Sequence, residues 1–529
     1  MGIETEYAAT GFAVDHPANG SGVFNELNTA VRGRVPCLED GSSAGIFLAN
    51  GARFYYDSGH PEYATPECGS PREVLAAIRA GERLLSDAAA RASGALRKVA
   101  VFRSNVDYGG ERSTWGCHES YLHRTPPRLL PDLLIPHFVS RLIYTGAGGF
   151  MPNVDGIEFT LSPRASMLEC AVSGTSTSTR GIFHTKDETL SCDGYHRLHV
   201  ICGESLCEGL GTLLKVGTTA LIVAAIDAGW NVGQGLAYRS AIDALRVASS
   251  DQTLGATVAT ARGHRVTAIS VQREYLKAVE ACRQAGLLPM WADEICGLWS
   301  TTLEHLARND GWARSNLDWG RKQALFEQWA GGRSSWDGLR SWNTIWHHVK
   351  TQTTKAVNRL SEPTDMSLHG ILFGENCPVP DDKARLTRYL ASKQTDWAGL
   401  RKFLRLRHEL FEIDVRFGQL GAGGIHAQLS ASGLTGPELV SDEQVAHAVQ
   451  YPPAGGRAMV RGQLIRSLSQ NESASAFMCG WTRVWDRRDR LFVDLSDPFG
   501  TSVVWQRYEH AEARRSMLEF CRGVWSEYF

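Results

Sequence analysis

Charged and phenolic side chains are concentrated in one short stretch of the sequence, residues 50–67. The segment RFYYD has the two-residue period of a β-strand, which places Arg53, Tyr55 and Asp57 on one face. The chain is predicted to turn at 59–61, and the carboxylates beyond that turn are Glu62 and Glu67. A cation, a phenol and three carboxylates suit a site that binds phosphate and metal ions better than a hydrophobic core.

The first seven residues form a second acidic strand by the same alternation. Glu4 and Glu6 share one face, and the opposite face carries Ile3, Thr5 and Tyr7. A solvated sheet edge is the simpler explanation for two strand glutamates. The apolar opposite face favours a cleft instead, where a cation such as Mg²⁺ would relieve the repulsion between the carboxylates.

Histidines and arginines are predicted on further strand faces. Arg197 and His199 share one face of a strand within residues 195–205, and His118 precedes Glu119 in another strand. For His118, a structural role and a ligand role both remain open. The candidate arginines beside these strands are Arg164 and Arg180, and a later helix carries Arg457 and Arg461.

These residue types point to phosphoryl transfer on a sheet. The sequence has no Walker A motif, no GxGxxG after a strand, no GxSxG elbow and no HExxH pair. Carboxylate activation fits the pooled residues: ATP phosphorylates a carboxylate to an acyl phosphate, and a nucleophile then displaces phosphate. A base must deprotonate that nucleophile, and we assign this role to Asp57.

The elements that must position these residues are strands with polar faces and helices between them. This pattern predicts an α+β fold with a curved sheet whose concave side is charged and whose convex side is covered by helices. Ser70-Pro71 begins a helix, residues 213–228 form a buried helix, and residues 8–46 are predicted as a loop with one short helix. Glu67 could alternatively cap the helix after Ser70.

Length and composition set the remaining limits. A chain of 529 residues predicts two or more domains, which we place at 1–435, with an insertion at 334–400, and at 436–529. The net charge of −2 gives no signal for nucleic acid, and no apolar run is long enough to span a bilayer. Twelve cysteines without a CxxC pair, and no leader before MGIETEY, predict a cytoplasmic protein with reduced thiols.

Several of these segments together resemble the family of ligases and depupylases for the prokaryotic ubiquitin-like protein Pup. The resemblance extends over most of the chain. It rests on GIETEY (2–7), NGARFYYDSGHPEYATPE (50–67), GCHESYL (116–122), TKDE (185–188), YHRLHVICGES (195–205), LLKVGTTAL (213–221), LDWGRKQALFEQW (317–329) and YPPAGGRAMVRGQLI (451–465).

The resemblance implies a fold like glutamine synthetase: a twisted antiparallel sheet forms a cradle backed by helices, with a small C-terminal α/β domain. ATP and Mg²⁺ would lie on the sheet. Asp57 matches the family's essential aspartate, Glu4, Glu6 and Glu62 match metal positions, and His199 matches a metal-contacting position. The implied nucleotide contacts are Arg53, Tyr55, Arg197 and Arg180, and the further candidates are His118, Glu119, Glu67, Arg164, Arg457 and Arg461.

The resemblance implies two activities at one site. The ligase branch phosphorylates the C-terminal glutamate of Pup and transfers it to a substrate lysine, whereas the other branch hydrolyses that isopeptide bond or deamidates a C-terminal glutamine. The short first loop, GIETEY and LDWGRKQALF favour the ligase branch. Lys186 replaces the family's arginine before Asp-Glu, so we expect a Pup-like modifier and lysine-bearing protein substrates as partners. A catalytically silent ATP-binding regulator and a small-molecule glutamate–amine ligase remain alternatives.

Overall fold

The structure is a computed structural model that describes most of the chain. The residues outside the description are 13–18, 93–97, 109–112, 153, 187, 189, 193, 332–335, 357–379, 472 and 508–529. Parts of the TKDE segment, of the predicted 334–400 insertion and of the predicted C-terminal domain therefore lie outside the described residues.

Nineteen short strands are present in the described residues. They are β1 (Gly2–Glu6), β2 (Ala8–Phe12), β3 (Cys37–Asp40), β4 (Gly45–Leu48), β5 (Arg53–Asp57), β6 (His60–Ala64), β7 (Lys98–Phe102), β8 (Cys117–His123), β9 (Gly149–Phe150), β10 (Phe159–Thr160), β11 (Cys170–Ser173), β12 (Gly181–His184), β13 (His196–Val200), β14 (Thr257–Ala259), β15 (Arg265–Thr267), β16 (Phe477–Cys479), β17 (Arg483–Asp486), β18 (Leu491–Asp494) and β19 (Trp505–Arg507).

Eleven of these strands form one sheet in the order β13-β8-β1-β6-β5-β4-β3-β16-β17-β18-β19. Neighbouring strands are antiparallel except for β3 and β16, which are parallel. The strands predicted to carry the acidic, histidine and arginine side chains are adjacent in the first part of this order. The predicted α+β class with a mainly antiparallel sheet matches this architecture.

Sixteen α-helices are present in the described residues, and many of them pack on the sheet or on one another. They are α1 (Gly20–Arg32), α2 (Pro71–Arg91), α3 (Leu130–Ser140), α4 (Leu142–Thr145), α5 (Gly209–Asp227), α6 (Ala241–Ser250), α7 (Ala268–Gln284), α8 (Ala292–Arg308), α9 (Ala313–Asn316), α10 (Asp318–Ala330), α11 (Trp336–Ala356), α12 (Pro380–Ser392), α13 (Trp397–Phe417), α14 (Ile425–Ala431), α15 (Asp442–Gln450) and α16 (Gly456–Leu468).

Helix α5 is the predicted buried helix. It has a mean hydropathy of 1.7 over 18 residues and is long enough to cross a bilayer, but 89% of that window is buried inside the protein. Helix α2 begins as predicted, because the Ser70 side chain accepts a hydrogen bond from the Glu73 backbone N–H and Pro71 is the first helical residue.

The C-terminal segment extends the main sheet. Strand β16 pairs with β3, and Val460, Leu464 and Phe477 pack in the same hydrophobic cluster as Phe47 and other residues of the first hundred. Within 334–400, Leu339 and Trp346 are buried in the main core. The described parts of both segments therefore share cores with the rest of the chain, and the domain boundaries at 435 and 334–400 stay predictions.

Two local predictions are wrong. Residues 8–46 are not mainly loop, because α1 has 13 residues and β2, β3 and β4 cross this region. Pro61 does not turn the chain: the turn lies at Ser58 and Gly59, whose φ angles are 47° and 95°, and Pro61 is already within β6 opposite Tyr56. The Tyr56 N–H donates to the Ala44 carbonyl, on the other side of β5. The Tyr56–Pro61 pair therefore needs no hydrogen bond from Pro61, and the missing N–H does not disturb the pairing.

Candidate active site

Five neighbouring strands bring most of the predicted residues to one face of the sheet. Glu6 on β1 lies opposite Glu62 on β6, and Glu62 lies opposite Tyr55 on β5. On the other side of β1, Glu4 lies opposite His118 on β8. Next comes β13, which carries Arg197 and His199. Because side chains at matched register positions point the same way, these residues form one polar surface.

The first group of potential ligands is Glu4, His118 and His199, whose donor atoms lie within 4.8 Å of one another. Arg197 donates to the Glu4 carboxylate at 2.8 Å. Burial by itself would raise the pKa of Glu4, but Arg197 and hydrogen bonds from the two histidines outweigh it and hold that pKa well below its usual value. Burial, with the charge of Arg197, lowers the pKa of His199 to about 3. The neutral imidazole is the form that binds a metal ion.

The second group is Glu6, Asp57 and Glu62, again with donor atoms within 4.8 Å. Burial raises the pKa of Glu62 well above its usual value, and the charges of Glu4 and Glu6 raise it further. Glu62 is 2% exposed, whereas Asp57 is exposed at the end of β5. Three carboxylates held this close repel one another unless a cation or a proton lies between them. Asp57 is the most exposed member of this group.

Arg53 and Tyr55 form the side of the site next to Asp57. The Arg53 guanidinium carbon lies 3.9 Å from the centre of the Tyr55 ring. Arg53 Nε donates to Asp40 at 2.7 Å, and its Nη2 donates to Ser43 at 2.9 Å. Arg53 is therefore held across the loop between β3 and β4. Burial raises the pKa of Tyr55 well above its usual value, and the charges of Glu62 and Glu4 add to this.

Four predicted site residues lie elsewhere, and their assignments to the site are corrected. Glu119 points to the opposite sheet face, where it is fully buried and binds both Arg141 terminal nitrogens at 2.5 and 2.9 Å. Glu67 forms ion pairs with Arg457 and Arg461. These two arginines are therefore bound by a carboxylate of their own protein. Glu67 does not cap α2 either, since Ser70 does so.

Arg164 and Arg180 lie beside the site without joining either ligand group in the described residues. Arg164 is buried, and its two terminal nitrogens donate to Thr114 Oγ1 and to the Ile201 carbonyl, both at 2.9 Å. Burial lowers the pKa of Arg164, while the carboxylate of Glu6 raises it. Arg180 donates from Nε to the Ser176 carbonyl at 2.9 Å.

Sequence reasoning missed two residues that shape the site. The His184 ring lies 5.3 Å from the His199 ring, centre to centre. The Gly116 N–H donates to Glu6 Oε2 at 2.5 Å. The available signal was that Gly116 lies two positions before His118 in the sequence. The need for a glycine there also depends on Arg164, which lies 48 positions further along the chain.

Gly116 has no room for a side chain. A Cβ atom there would lie 2.8 Å from Arg164 Nη2 and 3.0 Å from His118 Nε2. We expect Gly116→Ala to displace His118 and to weaken divalent-cation binding about 10- to 100-fold, the range seen when the support of a ligand is lost. Titration with Mn²⁺ measures this. Gly297→Ala is the matched control, because a Cβ atom at Gly297 in α8 would meet nothing within 4 Å. Equal affinities in the two variants would contradict the packing argument.

The ion pairs of Glu67 are expected to make the stability of the fold depend on pH. Burial disfavours the charged carboxylate, but Arg461 and Arg457 outweigh it and lower the pKa of Glu67 to about 2. Because the folded pKa lies below the unfolded one, this carboxylate stabilises the fold above about pH 4.5, and the stabilisation is lost as the pH falls towards 2. We expect Glu67→Gln to lower the free energy of unfolding by roughly 3 kcal/mol at pH 7 and by much less near pH 3.

Urea unfolding at several pH values measures this difference. Glu39→Gln is the control, because Glu39 pairs with Arg32 at the surface and its loss should change the stability by at most about 1 kcal/mol. A pH-independent effect of Glu67→Gln would show that the carboxylate charge is not what stabilises this contact.

The residues on the polar face fit a divalent cation. Carboxylate oxygens with an occasional imidazole are ligands for Mg²⁺ and Mn²⁺. The raised pKa of Glu62 indicates surplus negative charge that a cation would neutralise. Glu4, His118 and His199 would hold one ion, and Glu6, Glu62 and Asp57 would surround a second.

Two curated relatives are similar in sequence. A depupylase from Acidothermus cellulolyticus is 38% identical over 300 residues, which cover 55% of this chain and 59% of that protein. A Pup–protein ligase from Kineococcus radiotolerans is 37% identical over 342 residues, which cover 62% of this chain and 74% of that protein. The chain thus spans only about three fifths of the length of the depupylase that it matches.

Two solved structures share the fold. The Pup ligase PafA in complex with Pup has a TM-score of 0.70 at 21% identity, covering 98% of this chain and 92% of PafA. PafA in complex with ADP has a TM-score of 0.64 at 22% identity, covering 91% of this chain and 90% of PafA. These likenesses support the predicted α+β cradle as the fold.

The sequence model of the family described as Pup-ligase protein matches residues 1–367 and 384–485. These two segments include all five strands of the polar face and nearly all of the sequence before the last 44 residues. The chain therefore belongs to the Pup-ligase protein family.

Proposed function

We propose that this chain is an ATP- and Mg²⁺-dependent ligase that joins the C-terminal glutamate of a Pup-like modifier to a lysine of a protein substrate. The observation that carries this proposal is the convergence of two ligand groups and the exposed carboxylate of Asp57 on one sheet face. Membership of the Pup-ligase protein family and the ADP bound in the PafA structure support the proposal that a nucleotide binds here.

Different residues of the polar face would bind the metal ions and the nucleotide in such a reaction. When bound, Mg²⁺ would neutralise negative charge on the phosphate oxygens. Glu4, His118 and His199 would hold one ion, and Glu6 and Glu62 would hold another. Arg197 keeps Glu4 ionised and oriented through its 2.8 Å hydrogen bond. Arg53, held by Asp40 and stacked on Tyr55, would fix the nucleotide from the side of β5.

Asp57 would act in the second half of the reaction. A carboxylate oxygen of the modifier takes the terminal phosphoryl group of ATP, which leaves ADP and an acyl phosphate. The substrate lysine nitrogen then forms the amide bond to the acyl carbon as phosphate departs. The amine must lose a proton in that step, and the exposed Asp57 carboxylate accepts it. Its neighbour Glu62 is less suited, because Glu62 is buried.

A depupylase or deamidase is the second candidate function. It is favoured by one observation: the depupylase is as similar to this chain, at 38% identity, as the ligase is at 37%. In that reaction water would take the place of the lysine amine, and Asp57 would activate the water. The same face would also serve a silent ATP-binding regulator, but such a protein has no need for the exposed carboxylate.

One experiment separates these functions. The purified chain is incubated with ATP, Mg²⁺, a Pup-like modifier ending in glutamate and a lysine-bearing protein, and intact masses are followed with time. A ligase produces a conjugate whose mass is the sum of both proteins minus one water, with the modified lysine found by peptide mapping. In separate incubations, a hydrolase cleaves a preformed conjugate or deamidates a modifier that ends in glutamine. A lack of turnover in every arm would favour the regulator.

The proposed division of the chain is 1–435 for the catalytic domain, including an insertion within 334–400, and 436–529 for a smaller C-terminal domain. The proposed location is the cytoplasm, and it is supported by the free thiols found for every cysteine in the described part of the chain.

A further inference from the structure

A tryptophan that the proposed chemistry does not use lies beside the proposed base. The β5–β6 hairpin places Asp57 opposite His60, and matched register positions put both side chains on the same face of the sheet. The His60 ring stacks on the Trp115 ring with centres 4.7 Å apart. Trp115 therefore lies on the polar face, at the end of the sheet that carries Asp57.

The indole N–H of Trp115 has no acceptor in the described part of the chain. Trp115 is only 8% exposed, and its Nε1 atom is buried without a hydrogen-bond partner there. An indole nitrogen can only donate, so moving its proton cannot satisfy it. Buried indole N–H groups usually have a partner, because an unpaired buried donor is costly. We therefore expect a bound molecule to supply the acceptor.

Two other tryptophans show that the position of this N–H matters as much as its lack of a partner. Nε1 of Trp299 and of Trp346 is also buried without a partner in the described residues. Both side chains are fully buried within the main hydrophobic cluster, where neither is exposed to solvent. Trp115 belongs to neither of the two hydrophobic clusters of the described residues, and its ring contacts an imidazole on the polar face.

The backbone around Trp115 holds the indole in place. The Trp115 backbone N–H donates to the Asn105 carbonyl at 3.3 Å, and Thr114 Oγ1 donates to the same carbonyl at 2.7 Å. On the other side, the Gly116 N–H donates to the Glu6 carboxylate. Both neighbours of Trp115 are thus tied to other strands or loops. A donor fixed in this way needs no reorganisation when a substrate arrives.

We propose that the Trp115 indole N–H donates a hydrogen bond to the reacting side-chain carboxyl group of the modifier's C-terminal glutamate. The proposal rests on the proposed ligase function. As the lysine nitrogen adds to the acyl carbon, the electron pair of the C=O bond moves to the oxygen, and Asp57 takes a proton from the nitrogen. The C=O bond forms again as phosphate leaves. Trp115 stabilises the negative charge that this oxygen carries in between.

The position of Trp115 favours the modifier over the nucleotide as the acceptor. Arg53, the proposed nucleotide contact, is the first residue of β5, and Asp57 is the last. About 13 Å of strand separates them. Trp115 stacks on His60, the residue opposite Asp57, so it lies at the end of β5 away from Arg53. This is the end where the lysine must meet the activated carboxyl group.

The first test observes the N–H group directly. The chain is labelled with ¹⁵N in its indole groups, and the Trp115 signal is identified by its absence in Trp115→Phe. We expect this signal to move downfield when a Pup-like modifier ending in glutamate is added with Mg²⁺ and a non-hydrolysable ATP analogue. A modifier whose terminal glutamate is replaced by alanine should not move it. A signal that moves equally with both modifiers, with neither, or already with the nucleotide alone would overturn the proposal.

The second test removes the N–H group and keeps the ring. Benzothienylalanine has the shape of tryptophan with sulfur in place of the N–H, so it preserves the stack on His60. We expect Trp115→benzothienylalanine to lower kcat/KM for the modifier about 10- to 100-fold, the effect of losing a hydrogen bond to a charged group. The dissociation constant for ATP should stay unchanged. A wild-type kcat/KM in this variant would show that the ring acts only by packing.

Trp299→benzothienylalanine is the matched control, because this N–H also lacks a partner in the described residues but lies in the core. Its kcat/KM should change by less than about twofold, since no hydrogen bond is lost. An equal loss in both variants would overturn the proposal.

The two tests separate failure of this proposal from failure of the proposed function. If the chain conjugates no protein at all, the ligase function fails, and the indole signal still decides whether Trp115 contacts the terminal glutamate. If conjugation proceeds at the wild-type rate in Trp115→benzothienylalanine, only the role of Trp115 fails.

Discussion

Replacing Asp57 by Asn is expected to reduce conjugate formation by about a thousandfold, the largest effect that we predict for catalysis. The amide cannot accept the proton of the attacking lysine, and general-base catalysis contributes about 10²- to 10⁴-fold. Asp57 lies exposed at the end of β5, so the substitution should leave the fold intact. Single-turnover conjugation measured with saturating ATP gives the rate.

Nucleotide binding distinguishes a base from a ligand. Asp57 shares a group with Glu6 and Glu62, so a large role in holding a cation would also weaken ATP binding. We expect the dissociation constant for ATP with Mg²⁺ to change by about twofold or less in Asp57→Asn, because the other ligands remain. Asp87→Asn is the control, since Asp87 forms an ion pair with Arg34 at the surface. A wild-type conjugation rate in Asp57→Asn would show that the base is another group.

Replacing Glu119 by Gln is expected to cause the largest loss of stability, about 3–5 kcal/mol. Glu119 lies on β8, on the sheet face opposite the polar surface, where it is fully buried and accepts hydrogen bonds from Arg141 and from Tyr121 Oη at 2.6 Å. The substitution leaves the Arg141 charge buried without its carboxylate, which costs far more than the loss of one hydrogen bond. Chemical unfolding at pH 7 measures the difference.

The double variant separates charge from packing. Glu119→Leu combined with Arg141→Met removes both charges and keeps apolar volume, so it should recover more than half of the lost stability. Folded Glu119→Gln protein should also retain conjugation, because Glu119 faces away from the polar surface. A folded but inactive Glu119→Gln variant would return this residue to the list of site residues.

The strand faces of the site were predictable because alternation is a local property. The period of two in Gly2–Glu6 and Arg53–Asp57 was enough to group Glu4 with Glu6 and to align Arg53, Tyr55 and Asp57. The same rule already separated Glu119 from His118, since adjacent residues of a strand point to opposite faces. The error in assigning Glu119 came from weighing residue type above that geometry.

Other parts of the site depend on contacts between distant residues. Glu67 pairs with Arg461, which is 394 residues away, and no local pattern predicts that contact. The opposition of Glu62 to both Glu6 and Tyr55 requires the strand order β1-β6-β5. Short strands such as β3 and β4, with four residues each, were missed because a run that short gives little periodicity.

The route of oxygen atoms tests the central claim most directly. The modifier is prepared with ¹⁸O in both oxygens of the side-chain carboxylate of its C-terminal glutamate. The phosphate released during conjugation is analysed by mass spectrometry. If the polar face activates the carboxylate as an acyl phosphate, one ¹⁸O atom appears in inorganic phosphate for each conjugate formed. Conjugation that releases phosphate without ¹⁸O would contradict this account.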